Sequence, residues 1–481
     1  MYGLTSEEVN KINEVFSRHM EIEKAILYGS RAKGNYQNSS DIDLSLFCDK
    51  ITLTQLFEIE NQLDDLLLPY KIDLSIYHKI ENTDLIEHID RVGIVFYEKK
   101  IDEWKEYRFS EFANVNPSVK ITKGDKISFV EMKDLQDGKR FCEPSQEREL
   151  SGGSRFQNYD TLFARITPCL ENGKICQVRN LKNNVGFGST EFHVFRGREN
   201  ISDSNFIFYL SRWREVRDHA EKNFDGTSGR QRVPKQAFDD LILRLPPPSE
   251  QIAIASILSS LDNKIELMHR QNATLEKMAE TLFRQWFVEE AKEEWEDGNL
   301  SDEFQLTMGQ SPPGNSFNQD GIGTPMFQGN RDFKFRFPEN RVFTTEPQRL
   351  AYKFDTLISV RAPVGEQNMA NELCCIGRGV AAFRFKDNPE FYTYTYFKMR
   401  SLMNEIKEFN NEGTVFGSIS RGDFEKLRIS IPPLYVINNF QEEVKPIDDK
   451  IIINCNQIYT LTSLRDNLLP KLMNREVKVE I

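Results

Sequence analysis

No C-x-x-C pair occurs among the seven cysteines of this 481-residue chain. The spacing a structural zinc site needs is therefore missing, and an odd number of scattered thiols points to reduced, structural cysteines rather than a disulfide framework. Only Cys374 and Cys375 are neighbours. Long apolar runs are missing too: none reaches the length of a bilayer crossing, and the opening MYGLTSEEVNKINEVF lacks the basic-then-apolar pattern of an export signal. A cytoplasmic protein is expected. The bias of a disordered or collagen-like chain is likewise absent, since 39% hydrophobic and 28% charged residues describe an ordinary globular protein. The length exceeds one core and predicts about two to four domains.

The net charge of −12 argues at first against a nucleic-acid partner. The charge is uneven, however: residues 1–98 hold 9 Lys and Arg against 18 Asp and Glu, a balance of −9, leaving −3 for all the rest. In the larger C-terminal part local patches decide what is bound.

That part repeats itself. GTSGRQRVPKQAFDDLILRLPPPSEQ from Gly226 and GTVFGSISRGDFEKLRISIPPLYVI from Gly413 both run from Gly-Thr through Phe-x-x-Leu and an apolar strand to a Pro-Pro stop. Phe238 and Phe424, and Asp262 and Asp448, keep one offset of 186 residues. Upstream, YDTLFARITP at Tyr159 echoes FDTLISVRAP at Phe354 with an offset of 195, so an insertion lies between them. A duplicated module is the simplest account.

After each Pro-Pro stop the pattern predicts a long helix. Ile254, Leu258, Leu261, Ile265, Met268, Asn272, Leu275, Ala279, Leu282 and Trp286 alternate steps of four and three, as do Phe440, Val444, Ile447, Ile451, Asn454, Ile458, Leu461, Leu468 and Leu472. Two seams of matching length predict that the helices pair with each other. Each seam holds one Asn, expected at different levels; Arg465 interrupts the second seam, and Pro446 is expected to kink or restart its helix. The acidic run EEAKEEWEDGNLSDE at 289–303 reads as a solvated helix end and linker, and EKKIDEWKE at 98–106 as a joint.

The N-terminal part carries the one catalytic-looking motif. AILY at 25–28 fits a buried strand, and Gly29-Ser30 then turns so that backbone amides can face a phosphate. Arg31 to Gly34 would open a helix, with Arg31 and Lys33 near the same anion. Asp41 and Asp43, one residue apart, point to one face of a strand, and Asp73 can bring a third carboxylate from a neighbouring strand. Convergent carboxylates beside a phosphate cradle suit Mg²⁺ chemistry on a nucleotide. A lone D-x-D is weak, whereas the ordered set of strand, Gly-Ser, spacer, D-I-D and later Asp is specific. Residues 5–98 resemble the minimal nucleotidyltransferases of the DNA polymerase beta superfamily, on Gly29, Ser30, Asp41, Asp43, Asp73 and the tail IEHIDRVGIVFYEK. The resemblance implies transfer of a nucleoside monophosphate from a nucleoside triphosphate, ATP being the expected one, with Mg²⁺ held by Asp41, Asp43 and Asp73. The acceptor, a protein or an RNA, is not written in the sequence.

Residues 103–475 resemble the specificity subunits of type I restriction–modification systems, on PPPSEQIAIASILSSLDNKIELMHRQNATLEKMAETLFRQWF, on YDTLFARITP, STEFHVFR and GTSG, and on their counterparts FDTLISVRAP, VAAFRFK and GTVFGSIS. The resemblance implies two target-recognition domains that each read half of a bipartite double-stranded DNA site. Two helices set the gap and dock methyltransferase subunits, with a restriction subunit also expected; S-adenosylmethionine would belong to those partners. Arg212, Arg214, Arg217, Lys222, Arg230, Arg232 and Lys235 gather positive charge around the loop DGTSGRQRVPK. Contact with DNA is favoured for Arg230, Arg232 and Lys235, whereas the helix RWREVRDHAEK can equally face water. Arg165, Lys174, Arg361 and Arg421 are weaker candidates on analogous loops. His193 reads as a strand residue, and FYTYTYF as core.

The expected architecture is a multidomain α+β chain: a small α/β nucleotidyltransferase-like domain (1–100), a first α/β target-recognition domain (101–245), a central helix (246–298), a second recognition domain (299–433) and a C-terminal helix (434–481), the two helices pairing as an antiparallel coiled coil. Two alternatives to a DNA-recognition subunit stay open: a transferase enzyme delivered by a DNA-binding half, and an antitoxin-like regulatory module at the front.

Overall fold

A computed structural model of the chain describes residues 2–479 apart from 20, 38, 49–50, 100–103, 122–125, 228, 293, 362 and 409–417. At the front, four strands, β1 (Lys24–Tyr28), β2 (Ile42–Phe47), β3 (Ile72–Ile76) and β4 (Ile94–Glu98), form a sheet in the order β3-β2-β1-β4. β2 and β3 run parallel, and the other pairs are antiparallel. The helix Ser6–Arg18 begins at a capping box, with the Thr5 side chain accepting from Glu8 N–H and the Glu8 carboxylate bonding back to Thr5 N–H. Ile12 and Phe16 of this helix, Ile59 and Leu63 of the helix Leu53–Asp64, and Leu27, Leu44 and Leu46 of the sheet share one core. Strand alternation sends Ile42, Leu44 and Leu46 inward and turns Asp43 to the opposite face.

Two further units follow, and they share one plan. In the first, β5 (Lys105–Arg108), β6 (Ala113–Val115), β7 (Ile127–Val130), β8 (Phe141–Cys142), β9 (Gln146–Arg148), β10 (Ser154–Gln157), β11 (Thr161–Ala164), β12 (Ile175–Val178), β13 (Val185–Gly188), β14 (Phe192–Gly197) and β15 (Ile242–Leu245) build sheets ordered β6-β14-β11-β12-β8, β10-β13-β7-β9 and β15-β5. In the second, β16 (Glu296–Asn299), β17 (Phe304–Met308), β18 (Phe317–Asn318), β19 (Thr324–Phe327), β20 (Phe343–Thr344), β21 (Leu350–Ala351), β22 (Thr356–Ser359), β23 (Gln367–Met369), β24 (Cys374–Ile376), β25 (Val380–Phe385) and β26 (Arg428–Ile431) give β17-β25-β22-β23, β21-β24-β19-β20-β18 and β26-β16. Both units contain one matching parallel pair, β13 with β7 and β24 with β19.

The sequence echo at YDTL and FDTL has a structural cause. Tyr159 and Phe354 both hold positive φ, 69° and 70°. The following Asp160 and Asp355 accept from the backbone N–H of Gln157 and Tyr352 and pair with Arg196 and Arg384 at 2.7 Å. One carboxylate thereby closes each turn and anchors the neighbouring strand.

The central helix (Pro248–Arg284) starts directly after the Pro-Pro stop, with proline at its first turn where no N–H is needed. The C-terminal helix (Leu434–Met473) follows Pro433. They pack antiparallel. Ile254 and Leu258 at the start of the central helix share a core with Leu472 and Met473 at the end of the C-terminal helix and with the first repeated unit. Ala279, Phe283 and Phe287 share another with Ile437, Phe440 and Val444 and the second unit. Each unit therefore sits at its own end of the helix pair. Burying a side chain such as Phe440 contributes about 1.5–3 kcal/mol.

Several expectations need correction. Leu261, Leu275, Leu282 and Trp286 are only half-buried, and the buried stripe runs instead through Asp262, Glu276, Phe283 and Phe287. Arg465 does not interrupt the contact, because it is buried inside it against Asp262. Asn272 and Asn454 lie at one level and bond to each other, since antiparallel packing reverses one seam against the other. Pro446 does not restart its helix, which runs unbroken from Leu434 to Met473, and both it and Glu442 one turn earlier are exposed. The acidic run 289–303 is more than a linker. Its second half forms β16, paired with β26, and ends in a helical turn that buries Glu303.

Candidate active site and nucleic-acid interface

Register across the N-terminal sheet brings its polar residues together. Tyr28 of β1 stands opposite Asp43 of β2, and Asp43 opposite Asp73 of β3, so the three side chains share one sheet face. Asp41 lies exposed just before β2. Burial raises the Asp43 pKa, and the nearby charges of Asp73 and Asp41 raise it further. Gly29 holds φ +74°, and a Cβ built there would meet Asp43 Oδ2 at 2.1 Å, so glycine is what lets the turn pass beside that carboxylate. Ser30 and Lys33 lie on the single helical turn Gly29–Lys33 that follows.

Two parts of the expected site differ. Arg31 does not face a phosphate: it is 1% exposed, its guanidinium donates to the carbonyls of Ser40, Asp41 and Tyr2, and it stacks 4.4 Å from the Tyr70 ring centre. It ties the loop before Asp41 to the core. Asp73 is drawn to Lys71, whose Nζ lies 2.6 Å away. Among the described residues no three His, Cys, Asp or Glu side chains are gathered as metal ligands. The donor chemistry still suits a hard divalent cation, being wholly carboxylate oxygen beside a glycine cradle. Lys71 escaped the sequence reading, although its place two residues before Asp73 was a usable signal.

In the first repeated unit Arg232 bridges both Asp225 and Ile166, the latter just past the end of β11. Arg230 and Lys235 are exposed, and Arg165 is half-buried. His193 belongs to β14, with Nε2 2.8 Å from the Val233 carbonyl. Burial pushes its pKa down to about 4, and the charges of Arg165 and Lys235 lower it further. The Arg165 carbonyl accepts from Val233 N–H at 2.8 Å, which sets Arg165 beside the segment leading to Lys235. Arg232 is already engaged: its Nε lies 2.9 and 3.0 Å from the two Glu191 carboxylate oxygens, and Nη2 lies 2.8 Å from Oε1. Lys174 turns inward to the Met132 carbonyl at 2.8 Å. On the helix Arg214–Lys222, Arg214 faces water, whereas Arg217 reaches back to the carbonyls of Leu170 and Glu171 at 3.4 Å.

The second unit repeats the edge with fewer charges. The bridge Arg361 to Ser418 corresponds to Ile166 to Arg232, and Arg421 stands where Lys235 does. Both arginines are exposed, and Arg421 pairs with Glu425 one turn on at 2.6 Å. Most of GTVFGSIS lies outside the described residues, as does Ser228 of the first loop. The aromatic FYTYTYF forms the buried helix Tyr392–Ser401, as core.

Residues 101–277 and 292–461 match the family described as the type I restriction modification DNA specificity domain, and residues 10–102 match the family described as polymerase beta, nucleotidyltransferase. The chain is 30% identical over 342 residues to the MjaX specificity subunit of Methanocaldococcus jannaschii, covering 67% of this chain and 79% of that protein. It is 24% identical over 464 residues to the HindI specificity subunit of Haemophilus influenzae, covering 78% of this chain and all of that one. A crystal structure of a type I restriction-modification S subunit from M. genitalium aligns over 78% of this chain and 97% of that chain, with 16% identity and a TM-score of 0.48. The chain belongs to the type I restriction–modification specificity subunits, with a nucleotidyltransferase-like domain at its front.

Proposed function

We propose that the chain reads a bipartite duplex DNA site, one half through each repeated unit, in an assembly with methyltransferase subunits and a restriction subunit. S-adenosylmethionine would be bound by those partners. The observation that carries this reading is the pair of α/β units, alike in the order of four strands in each of their two main sheets, at opposite ends of an antiparallel helix pair. Helices of 37 and 40 residues extend roughly 55–60 Å at 1.5 Å per residue, against about 34 Å for one turn of duplex. Two heads so held can reach grooves one to two turns apart. The units share a frame but differ in their exposed charges, so unlike half-sites follow.

In the first unit Arg230, Lys235 and Arg165 would meet phosphates or guanine edges, and in the second Arg361, which stands where Ile166 does, and Arg421, the counterpart of Lys235. Arg232 acts through Glu191 by holding the loop, and Lys174 by holding the Met132 segment. Selection of bound duplexes from a random pool by the assembled complex should return two fixed blocks separated by an unspecified gap. One continuous block, or none, would overturn the reading.

At the front, Asp41, Asp43 and Asp73 would hold Mg²⁺, while Ser30, Lys33 and the Gly29 turn receive the phosphates of ATP. The cation would neutralise the triphosphate and polarise the phosphorus under attack. Lys71 holds the Asp73 carboxylate at 2.6 Å, and Arg31 fixes the loop that delivers Asp41. The acceptor would be a hydroxyl on a protein or an RNA. Titration calorimetry of the full chain should register Mg²⁺-dependent ATP binding that is lost in Asp41→Asn with Asp43→Asn. Equal heats for wild type and variant would leave the domain a scaffold.

A further inference from the structure

The two long helices carry buried acids at equivalent places of the repeat, Asp262 on the central helix and Asp448 on the C-terminal one, 6% and 0% exposed. A carboxylate removed from water needs a cation and further hydrogen bonds. Both acids have them, but the two arginines come from non-equivalent places. Asp262 meets Arg465 of the facing helix at 2.6 Å, and the same Arg465 Nη1 donates to the Gly138 carbonyl of the first recognition domain at 3.0 Å. Tyr209 of that domain donates to the other Asp262 oxygen at 2.6 Å.

Asp448 instead meets Arg336, supplied by a loop of the second recognition domain, at 2.9 Å. The Arg336 side chain is fully buried, lies 3.9 Å from Glu276 of the central helix and sits 3.8 Å above the Tyr396 ring. Its own carbonyl accepts from Met369 N–H at 2.9 Å, fastening the loop to β23. Each end of the rod therefore has a junction at which both helices and one recognition domain converge on a single arginine. Between the junctions lies the pair Asn272 and Asn454.

Burial of such charges is a poor source of stability, because apolar side chains of similar volume serve as well or better. A planar guanidinium differs in that it fits its surroundings in one plane. Arg465 donates along fixed directions to Asp262 and Gly138, while Arg336, whose buried N–H groups make no hydrogen bond among the described residues, is oriented by the Asp448 charge and by lying over the Tyr396 ring. Resting on the bipartite reading above, we propose that Arg465 and Arg336 are positioning residues that lock each recognition domain onto the helix pair at one angle, and so fix the length of the gap between the half-sites.

The test is selection from random duplex pools with the assembled complex, comparing wild type with Arg336→Met plus Asp448→Leu, which removes the pair and keeps its volume, and with Arg336→Lys, which keeps charge without the flat guanidinium over Tyr396. Wild type should return two blocks at one gap length. The variants should return the same two blocks, with neighbouring gap lengths bound within about fivefold of the original. A single gap length in a folded variant would overturn the proposal, as would failure of both variants to fold, which would make the arginine a stability element. Failure of the wild type to return two blocks is the separate outcome that removes the bipartite reading itself.

Discussion

Asn454 donates its Nδ2 hydrogen to Asn272 Oδ1 at 2.9 Å across the two long helices, and both residues are fully buried. Asn272 Nδ2 in turn lies 3.5 Å from Cys455 Sγ. An amide pair at the middle of an apolar contact costs stability against leucine but penalises every other register, because a slip leaves both amides without partners.

The pair predicts strong non-additivity. Asn272→Leu or Asn454→Leu alone should destabilise the chain by about 1–3 kcal/mol, since the remaining amide loses its partner in a dry site. The double replacement should recover most of that loss, and a double-mutant cycle by denaturant unfolding measures the difference. Additive losses would mean that the two amides do not interact.

DNA binding gives a second prediction, separating contact residues from supports. Arg230→Ala with Lys235→Ala should weaken binding and reduce the slope of log affinity against log salt by about 2, roughly one per phosphate contact. Arg232→Ala should weaken binding with a smaller change in slope, because Glu191 already neutralises its charge. Fluorescence anisotropy of labelled duplex at several salt concentrations reads both. An unchanged slope in the double variant removes Arg230 and Lys235 from the interface.

What the sequence disclosed and what it hid divide along physical lines. The repeat was legible because Pro-Pro stops and the Asp turns are backbone requirements, and because Phe238 and Phe424 each fill the core of their unit. The nucleotidyltransferase-like front was legible because Gly29, Asp41 and Asp43 sit in one short segment. Partners that come from far along the chain were hidden. Asp262 and Glu276 count as surface residues in any apolar pattern until Arg465 and Arg336 arrive from 203 and 60 residues away. Strand β16, reading Glu-Asp-Gly-Asn, has no strand-like side chains and exists because β26 supplies its hydrogen bonds. The same holds for Arg31 and Arg232, whose sequence neighbours suggested a ligand while distant carbonyls and Glu191 claim them.

Glu303 sets a pH dependence. It is 5% exposed, and burial raises its pKa to about 7 against the opposing pull of Lys398 and the Tyr394 hydroxyl. A folded pKa above the unfolded one means that the native state holds its proton more tightly. The associated stability is thus complete below the unfolded value near 4.5 and is lost as pH rises through about 7. Between pH 5 and pH 8 the second recognition domain should lose about 2–3 kcal/mol from this group. Glu303→Gln should flatten that part of the profile, as read by thermal unfolding across pH. An unaltered profile would assign the dependence to another group.

Arg31 separates a structural from a ligand-binding role at the front domain. Its guanidinium holds three carbonyls at 2.7–3.1 Å with under 2% of the residue exposed, so it cannot reach a phosphate without abandoning all of them. Lysine offers a point charge without the fork, and Arg31→Lys should cost the domain about 2–4 kcal/mol, most of it from carbonyls left without donors. The loop that presents Asp41 would loosen with it. Amide hydrogen exchange should therefore quicken across residues 35–41 even without nucleotide. A direct phosphate ligand would behave otherwise: exchange in the free protein would stay as in wild type, and only the affinity for Mg²⁺ and ATP would fall.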